Sequence, residues 1–110
     1  MKERYVAFIS TTLKKAYESL RARKHENRQL QEFIRRAIEC LTENAECGTK
    51  VPKKLWPKQY KKYGITNLWK YDLPGSWRLV YTIEADEVCV ISIILEWFDH
   101  KKYERRFGYS

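Results

Sequence analysis

Hydrophobic and polar positions alternate most regularly in residues 68–83, where two short apolar runs flank Pro74-Gly75-Ser76. Aromatic and β-branched residues on either side of a three-residue loop that contains glycine are typical of a β-hairpin. Alternation places the side chains of each strand on two faces. One face of the second strand then carries Trp77, Leu79, Tyr81 and Ile83. A cation stands inside each strand, Lys70 and Arg78, which fits either edge protection with a surface ion pair or a functional site.

Before this hairpin the apolar spacing becomes helical. Residues 4–9 (RYVAFI) predict a first strand, and Ser10-Thr11-Thr12 predicts the cap of a first helix. We expect a second helix to begin at Asn27 as its cap and to close at Cys47-Gly48. Its apolar stripe consists of Leu30, Phe33, Ile34, Ala37, Ile38 and Leu41.

After the hairpin, residues 84–87 predict an acidic turn and residues 88–95 (VCVISIIL) predict a strand buried on both faces. The tail KKYERRFGYS predicts a short helix. The element order is therefore β-α-α-β-β-β in one domain spanning residues 1–110. This order predicts an α+β fold, an antiparallel meander sheet with a helical hairpin packed on one face.

The distribution of charge along the chain indicates what kind of partner its surface binds. The formal net charge is +8 and the sequence pI is about 9.5, which favours an anionic partner such as nucleic acid or an acidic protein. The excess is concentrated in residues 50–82, where eight basic residues stand against one acidic residue.

Residues 50–64 hold much of that excess, because six lysines interleave there with Trp56, Tyr60 and Tyr63. Lysines bind phosphates and flat rings stack on bases, so the segment fits an RNA-facing loop. It fits equally a solvated linker whose aromatic residues pack onto the core. The cations expected to hold RNA backbone are Lys53, Lys54, Lys58, Lys61, Lys62, Arg105 and Arg106.

Other classes of protein are disfavoured. The three cysteines have no paired metal spacing, and we expect them to be reduced thiols. No apolar run is long enough for a membrane span, and MKERYVAFIS is too short and too charged for a signal peptide. We therefore expect a cytoplasmic protein with no metal site and no cofactor.

The hairpin and the following strand resemble a known superfamily. SWRLVYTI, then an acidic turn, then VISII is similar to the RelE/ParE toxins of type II toxin–antitoxin pairs, with the specific part in residues 68–103. This resemblance implies the predicted fold and a cognate antitoxin as partner. RelE-like members cut mRNA in the ribosomal A site, whereas ParE-like members poison DNA gyrase.

The resemblance also implies roles for single residues. Arg78 matches the arginine that binds the scissile phosphate region in RelE-like toxins. Lys70 matches, with a one-residue gap, a catalytic strand lysine. Asp72 stands where a second lysine is expected, and Glu96 stands about where an arginine is expected.

The segment Asp99-His100-Lys101-Lys102-Tyr103 resembles the C-terminal signature of the histidine-using branch, which includes the YafQ and YoeB toxins. In that branch a histidine acts as general acid near an aromatic residue, a pattern matched by His100 with Tyr103 or Phe107. Metal-free RNA cleavage needs a proton donor, a base and charge neutralisation at phosphorus. Lys70 is a candidate base, and Glu96 is an alternative.

These observations predict a ribosome-dependent mRNA endoribonuclease in which Arg78, Lys70, His100 and Tyr103 form the site, with mRNA and rRNA as partners. Two alternatives stay open: a gyrase-poisoning toxin, which would not need His100, and an inactive interaction module. The catalytic assignment requires His100 and Arg78 to face the same side of the sheet.

Overall fold

The computed structural model describes residues 2–22 and 24–108. The last two residues of the predicted tail segment lie outside that range. The main elements in the described residues are β1 (Glu3–Phe8), α1 (Thr11–Ser19), α2 (His25–Glu43), β2 (Thr49–Lys50), β3 (Trp69–Leu73), β4 (Trp77–Ala85), β5 (Cys89–Asp99) and α3 (His100–Phe107). Short 3₁₀ turns cover Leu20–Ala22, Lys53–Leu55, Lys58–Tyr63 and Pro74–Ser76. None of the described helices combines the length and apolar character that a membrane crossing requires.

The described strands form one five-stranded sheet in the order β1-β5-β4-β3-β2. Strands β3, β4 and β5 form the predicted antiparallel meander. Strand β1 pairs in parallel with β5, so the sheet is mixed. The α+β prediction is confirmed, and the structure adds β2, a two-residue edge strand that pairs with β3.

The two helices before the hairpin form largely as their spacing predicts. The Ser10 hydroxyl caps α1 by accepting the Leu13 amide at 3.1 Å. The prediction that Asn27 caps α2 is wrong, because the Lys24 carbonyl accepts the Asn27 amide at 3.0 Å and the helix already begins at His25. Helix α2 also ends earlier than predicted, since Asn44 adopts an extended conformation.

The sheet separates two apolar clusters. On one face the α2 stripe packs against the meander, with α1 beside it. The cluster on this face is built from Leu30, Ile34, Ala37, Leu41, Leu73, Leu79, Tyr81 and Ile94. The other face is covered by α3 and by the segment between β2 and β3. The helical hairpin therefore lies on one face as predicted, and the tail helix lies on the other.

A β-bulge in β5 determines which side chains reach the α3 face. Val80 of β4 pairs with Glu96, whereas the next residue, Tyr81, pairs with Ile94, so Leu95 is an extra residue. Strict alternation would place Glu96 on the same face as Ile94. The bulge instead places Glu96 on the α3 face.

Candidate functional site

The two strand cations of the hairpin meet over one aromatic ring. Lys70 of β3 and Arg78 of β4 lie on the α3 face, where Lys70 Nζ is 5.9 Å and Arg78 Cζ is 5.8 Å from the centre of the Tyr103 ring. Both distances are within the range of cation–π attraction. The hairpin places Lys70 and Arg78 on one face of the sheet, and α3 docks on that face with Tyr103. Three of the four predicted catalytic residues therefore lie together.

Asp72 lies beside both cations. Its Oδ1 is 3.4 Å from Lys70 Nζ and 2.9 Å from Arg78 Nε. The contact with Arg78 is electrostatic, because this buried Nε is not aligned for a hydrogen bond with any described residue. Arg78 Nη1 donates to the Trp77 carbonyl at 3.1 Å. The side chain of Asp72 is 60% exposed, compared with 20% for that of Arg78, so the carboxylate covers the solvent side of the pair.

Tyr103 is part of the apolar cluster on this face, and the whole residue is only 7% exposed. Its ring stacks on Phe107 at a centroid distance of 4.5 Å and meets Phe98 edge-on at 5.8 Å. Because its ring is packed in this way, Tyr103 contacts Lys70 and Arg78 but offers little exposed surface on which an RNA base could stack.

His100 is the first residue of α3, which begins after Asp99 caps it. Asp99 pairs with Trp77, and Tyr103 and Phe107 of α3 pack on the face of the sheet that carries Arg78. The imidazole Nε2 lies 2.7 Å from Glu104 Oε1, and the side chain is 51% exposed. Among the described residues the structure joins His100 to Glu104 and not to Lys70 or Arg78.

A second polar cluster on the same face was missed by sequence reasoning. Glu96 accepts a hydrogen bond from the Tyr60 hydroxyl at 2.6 Å and another from Arg106 Nη2 at 2.8 Å. Burial, followed by the hydrogen bond to Glu96, raises the pKa of Tyr60. Each carboxylate oxygen of Glu96 already has a partner, which argues against Glu96 as the alternative base. Spacing within β5 gives no signal for this cluster, because the core face shared by Ile94 and Trp97, which requires the bulge, is seen only in the structure.

Two open clefts border this cluster, with volumes of about 340 and 420 Å³. The first reaches toward α1 and Lys62, and the second toward Lys102 and Arg105. They share Gln59, Glu96 and Arg106. Glu96 and Arg106 of the polar cluster therefore lie between two clefts, each of which is lined in part by cations.

The family comparison covers most of the chain. A family model described as the ParE toxin of type II toxin–antitoxin systems, parDE, matches residues 9–96. The chain belongs to this family. No curated protein and no solved structure matches the sequence.

Membership in the ParE family makes the chain the toxin of a type II toxin–antitoxin pair, with an antitoxin as its partner. The matched range contains Lys70, Arg78 and Glu96 but ends before α3. The likeness of His100 and Tyr103 to the histidine-using branch of RelE-like toxins therefore stays a prediction.

The basic segment of this ParE-family toxin exposes its lysines and packs two of its three rings inward, while Lys62 Nζ lies 5.1 Å from the centre of the third ring, Tyr63. The predicted RNA-binding lysines are exposed on the two 3₁₀ turns between β2 and β3, and Arg105 is exposed on α3. Tyr60 is only 2% exposed, and the Trp56 indole donates to the Val51 carbonyl at 2.9 Å. These two rings pack inward, so the surface offers mainly charge for a phosphate backbone, and only the partly buried Tyr63 ring stays within reach of a base. Arg106 differs from the other predicted cations because Glu96 holds it.

Proposed function

We propose that this ParE-family toxin cleaves mRNA on the ribosome by a metal-free attack of the RNA 2′-hydroxyl. The observation that carries the proposal is the convergence of Lys70 and Arg78 on the Tyr103 ring. Two cations fixed at that spacing suit the phosphate of an RNA chain, whose charge grows as the fifth oxygen approaches phosphorus.

In this reaction Arg78 contacts the phosphate oxygens in place of Asp72, because a guanidinium binds phosphate through paired hydrogen bonds. The 2′-oxygen forms a bond to phosphorus while the bond from phosphorus to the 5′-oxygen breaks. The products are a 2′,3′-cyclic phosphate and a 5′-hydroxyl. Lys70 either stabilises the developing charge as a cation while a water molecule takes the 2′-hydroxyl proton, or in its neutral form accepts that proton itself.

His100 is the proposed donor of the proton that the leaving 5′-oxygen needs. Its position as the first residue of α3, the helix whose Tyr103 contacts Lys70 and Arg78, supports this role. To reach the substrate, the His100 side chain must rotate away from Glu104. It is 51% exposed, which leaves room for this rotation.

The exposed lysines of residues 53–62 would hold mRNA or rRNA backbone beside this site. The same positive surface suits an acidic segment of the antitoxin, which would then cover the cations and block the substrate.

A second candidate function is the poisoning of DNA gyrase. It is favoured by the family match, which is to the ParE toxin and excludes the helix that carries His100. Gyrase poisoning needs no proton donor, so the pairing of His100 with Glu104 would then be only structural.

Inducible expression of the wild-type chain, Arg78→Ala and His100→Ala separates these functions. We expect the wild-type chain to arrest growth and to produce new 5′ ends inside translated codons, which primer extension detects. We expect cleavage to fall about 100-fold in both variants. Arg4→Ala is the matched control, since it removes an exposed arginine from the edge strand β1.

Arrest with intact mRNA and accumulated gyrase–DNA cleavage complexes, kept in His100→Ala, would replace the nuclease with the gyrase poison. If the folded chain causes no growth arrest, the remaining interpretation is an inactive interaction module.

A further inference from the structure

Glu96 connects three separate parts of the toxin. It lies on β5 beside the bulge, holds Arg106 of α3 at 2.8 Å, and accepts the Tyr60 hydroxyl at 2.6 Å from the 3₁₀ turn Lys58–Tyr63. The side chains of Glu96 and Arg106 are 26% and 32% exposed. This partly sheltered ion pair is screened less by salt than a pair on the open surface.

The bulge places Glu96 in line with the candidate site. Glu96 pairs with Val80, which pairs with Lys70, so these three residues form one row across three strands. The neighbouring row contains Phe98 and Arg78. Helix α3 therefore lies over both the Glu96 carboxylate and the two cations.

The inner face of α3 contacts both the two cations and the Glu96 carboxylate. Tyr103, Arg106 and Phe107 follow one another at helical spacing on that face, where Tyr103 contacts the cations and Arg106 contacts Glu96. The Phe107 ring contacts both groups of residues, since its centre is 4.5 Å from that of Tyr103 and 6.3 Å from that of Tyr60. Fixing Arg106 thus fixes the rotation of the helix that presents Tyr103 and His100.

We propose that Glu96 is a positioning residue, which sets α3 through Arg106 and Tyr60 and thereby holds Tyr103 and His100 at the Lys70–Arg78 site. This role rests on the proposed nuclease function. It gives the carboxylate a task at a position where the resemblance to RelE-like toxins implies an arginine.

The competing account is that Glu96 is simply a lost catalytic cation. The two accounts give opposite expectations for Glu96→Arg. A lost cation would be restored and cleavage would rise. A positioning carboxylate would be replaced by a charge that repels Arg106, so cleavage would fall, and the double variant E96R/R106E would recover it.

The first measurement is hydrogen–deuterium exchange of the α3 amides in the purified full-length chain. We expect Glu96→Gln and Arg106→Gln to speed exchange in α3 about tenfold, with little change in β4. The matched controls are Glu84→Gln and Arg105→Gln, which remove charges from exposed neighbours on β4 and α3. Unchanged α3 exchange in Glu96→Gln would overturn the positioning role.

The second measurement is cleavage of a reporter mRNA in a translation reaction. We expect Glu96→Gln to lower kcat about tenfold and to leave KM within about twofold, because misplaced catalytic groups slow the reaction more than they weaken binding. Faster cleavage by Glu96→Arg, or no recovery in E96R/R106E, would contradict the proposal. If the wild-type chain cleaves no mRNA, the proposed function is wrong, and the exchange result alone then decides whether Glu96 fixes α3.

Discussion

At the residue scale, Gly48 has less space for a side chain than the other described glycines. Its amide donates to the Tyr81 hydroxyl at 3.1 Å, and that hydroxyl donates to the Ala45 carbonyl at 2.7 Å. Burial raises the pKa of Tyr81, so the hydroxyl keeps its proton for this second bond well above neutral pH. This small network joins the end of α2 to the middle of the sheet.

Gly48→Ala should therefore destabilise the toxin. A Cβ at this position would lie 2.4 Å from the Lys70 carbonyl oxygen and 2.8 Å from the Tyr81 hydroxyl, and neither group can move without breaking its own contacts. We expect the free energy of unfolding to fall by about 3 kcal/mol in a urea titration. Gly64→Ala is the control, because a Cβ there meets no atom within 4 Å and only the φ of +63° opposes it, a cost of about 1 kcal/mol. An equal loss in the two variants would contradict the close contact at Gly48.

At the element scale, α3 depends on its N-terminal cap. The Asp99 carboxylate accepts the Lys102 amide at 2.9 Å, and α3 is only 8 residues long. A helix this short forms little on its own, so the cap and the tertiary contacts decide whether it holds.

Asp99→Ala should loosen α3 without unfolding the sheet. We expect the local stability of α3, measured by amide exchange, to fall by about 1 kcal/mol. Asp99→Asn keeps an oxygen that can accept the Lys102 amide and should stay close to wild type. Equal exchange in the alanine and asparagine variants would show that the cap contributes nothing.

Elements with a local cause were predictable. The hairpin between β3 and β4 follows from alternation around Pro74-Gly75-Ser76, and the α2 stripe follows from helical spacing. The start of α2 was predicted wrongly because the Lys24 carbonyl replaces the side-chain cap expected from Asn27. The bulge at Leu95 was missed because it depends on which residues of β4 stand opposite, and spacing within β5 does not contain that information.

The same distinction applies to the candidate site. Lys70, Asp72 and Arg78 come from one hairpin, so alternation could place them on its faces. The cluster of Tyr60, Glu96 and Arg106 draws on three different elements, with Tyr60 36 residues from Glu96, and forms only when α3 docks. The predicted RNA contact of Arg106 conflicts with its ion pair to Glu96, whereas Arg105 remains exposed.

At the scale of the whole molecule, the net charge of +8 is presented mainly by side chains that lie outside the apolar clusters. The double variant K58Q/K61Q should weaken binding of a single-stranded RNA oligonucleotide about tenfold. The slope of log affinity against log salt should also fall by about 1.4, since each phosphate contact on a single strand contributes about 0.7. Fluorescence anisotropy over a salt series measures both quantities.

The control with the same change of charge is K24Q/R28Q at the start of α2, whose apolar stripe packs on the opposite face of the sheet. If both double variants lose the same affinity, RNA responds to total charge and the segment between β2 and β3 is not its binding surface.

The parallel pairing of β1 with β5 has a consequence for synthesis of the toxin. Glu3 is synthesised before its partner Cys89, which follows α1, α2 and the first two strands of the meander. A nascent chain that stops before β5 leaves β1 unpaired and lacks both Glu96 and α3, so it can neither form the polar cluster nor bring Tyr103 to Lys70 and Arg78. Under the proposed nuclease function such incomplete chains should be harmless to the cell that makes them, because the candidate site is complete only after β5 and α3 have been translated.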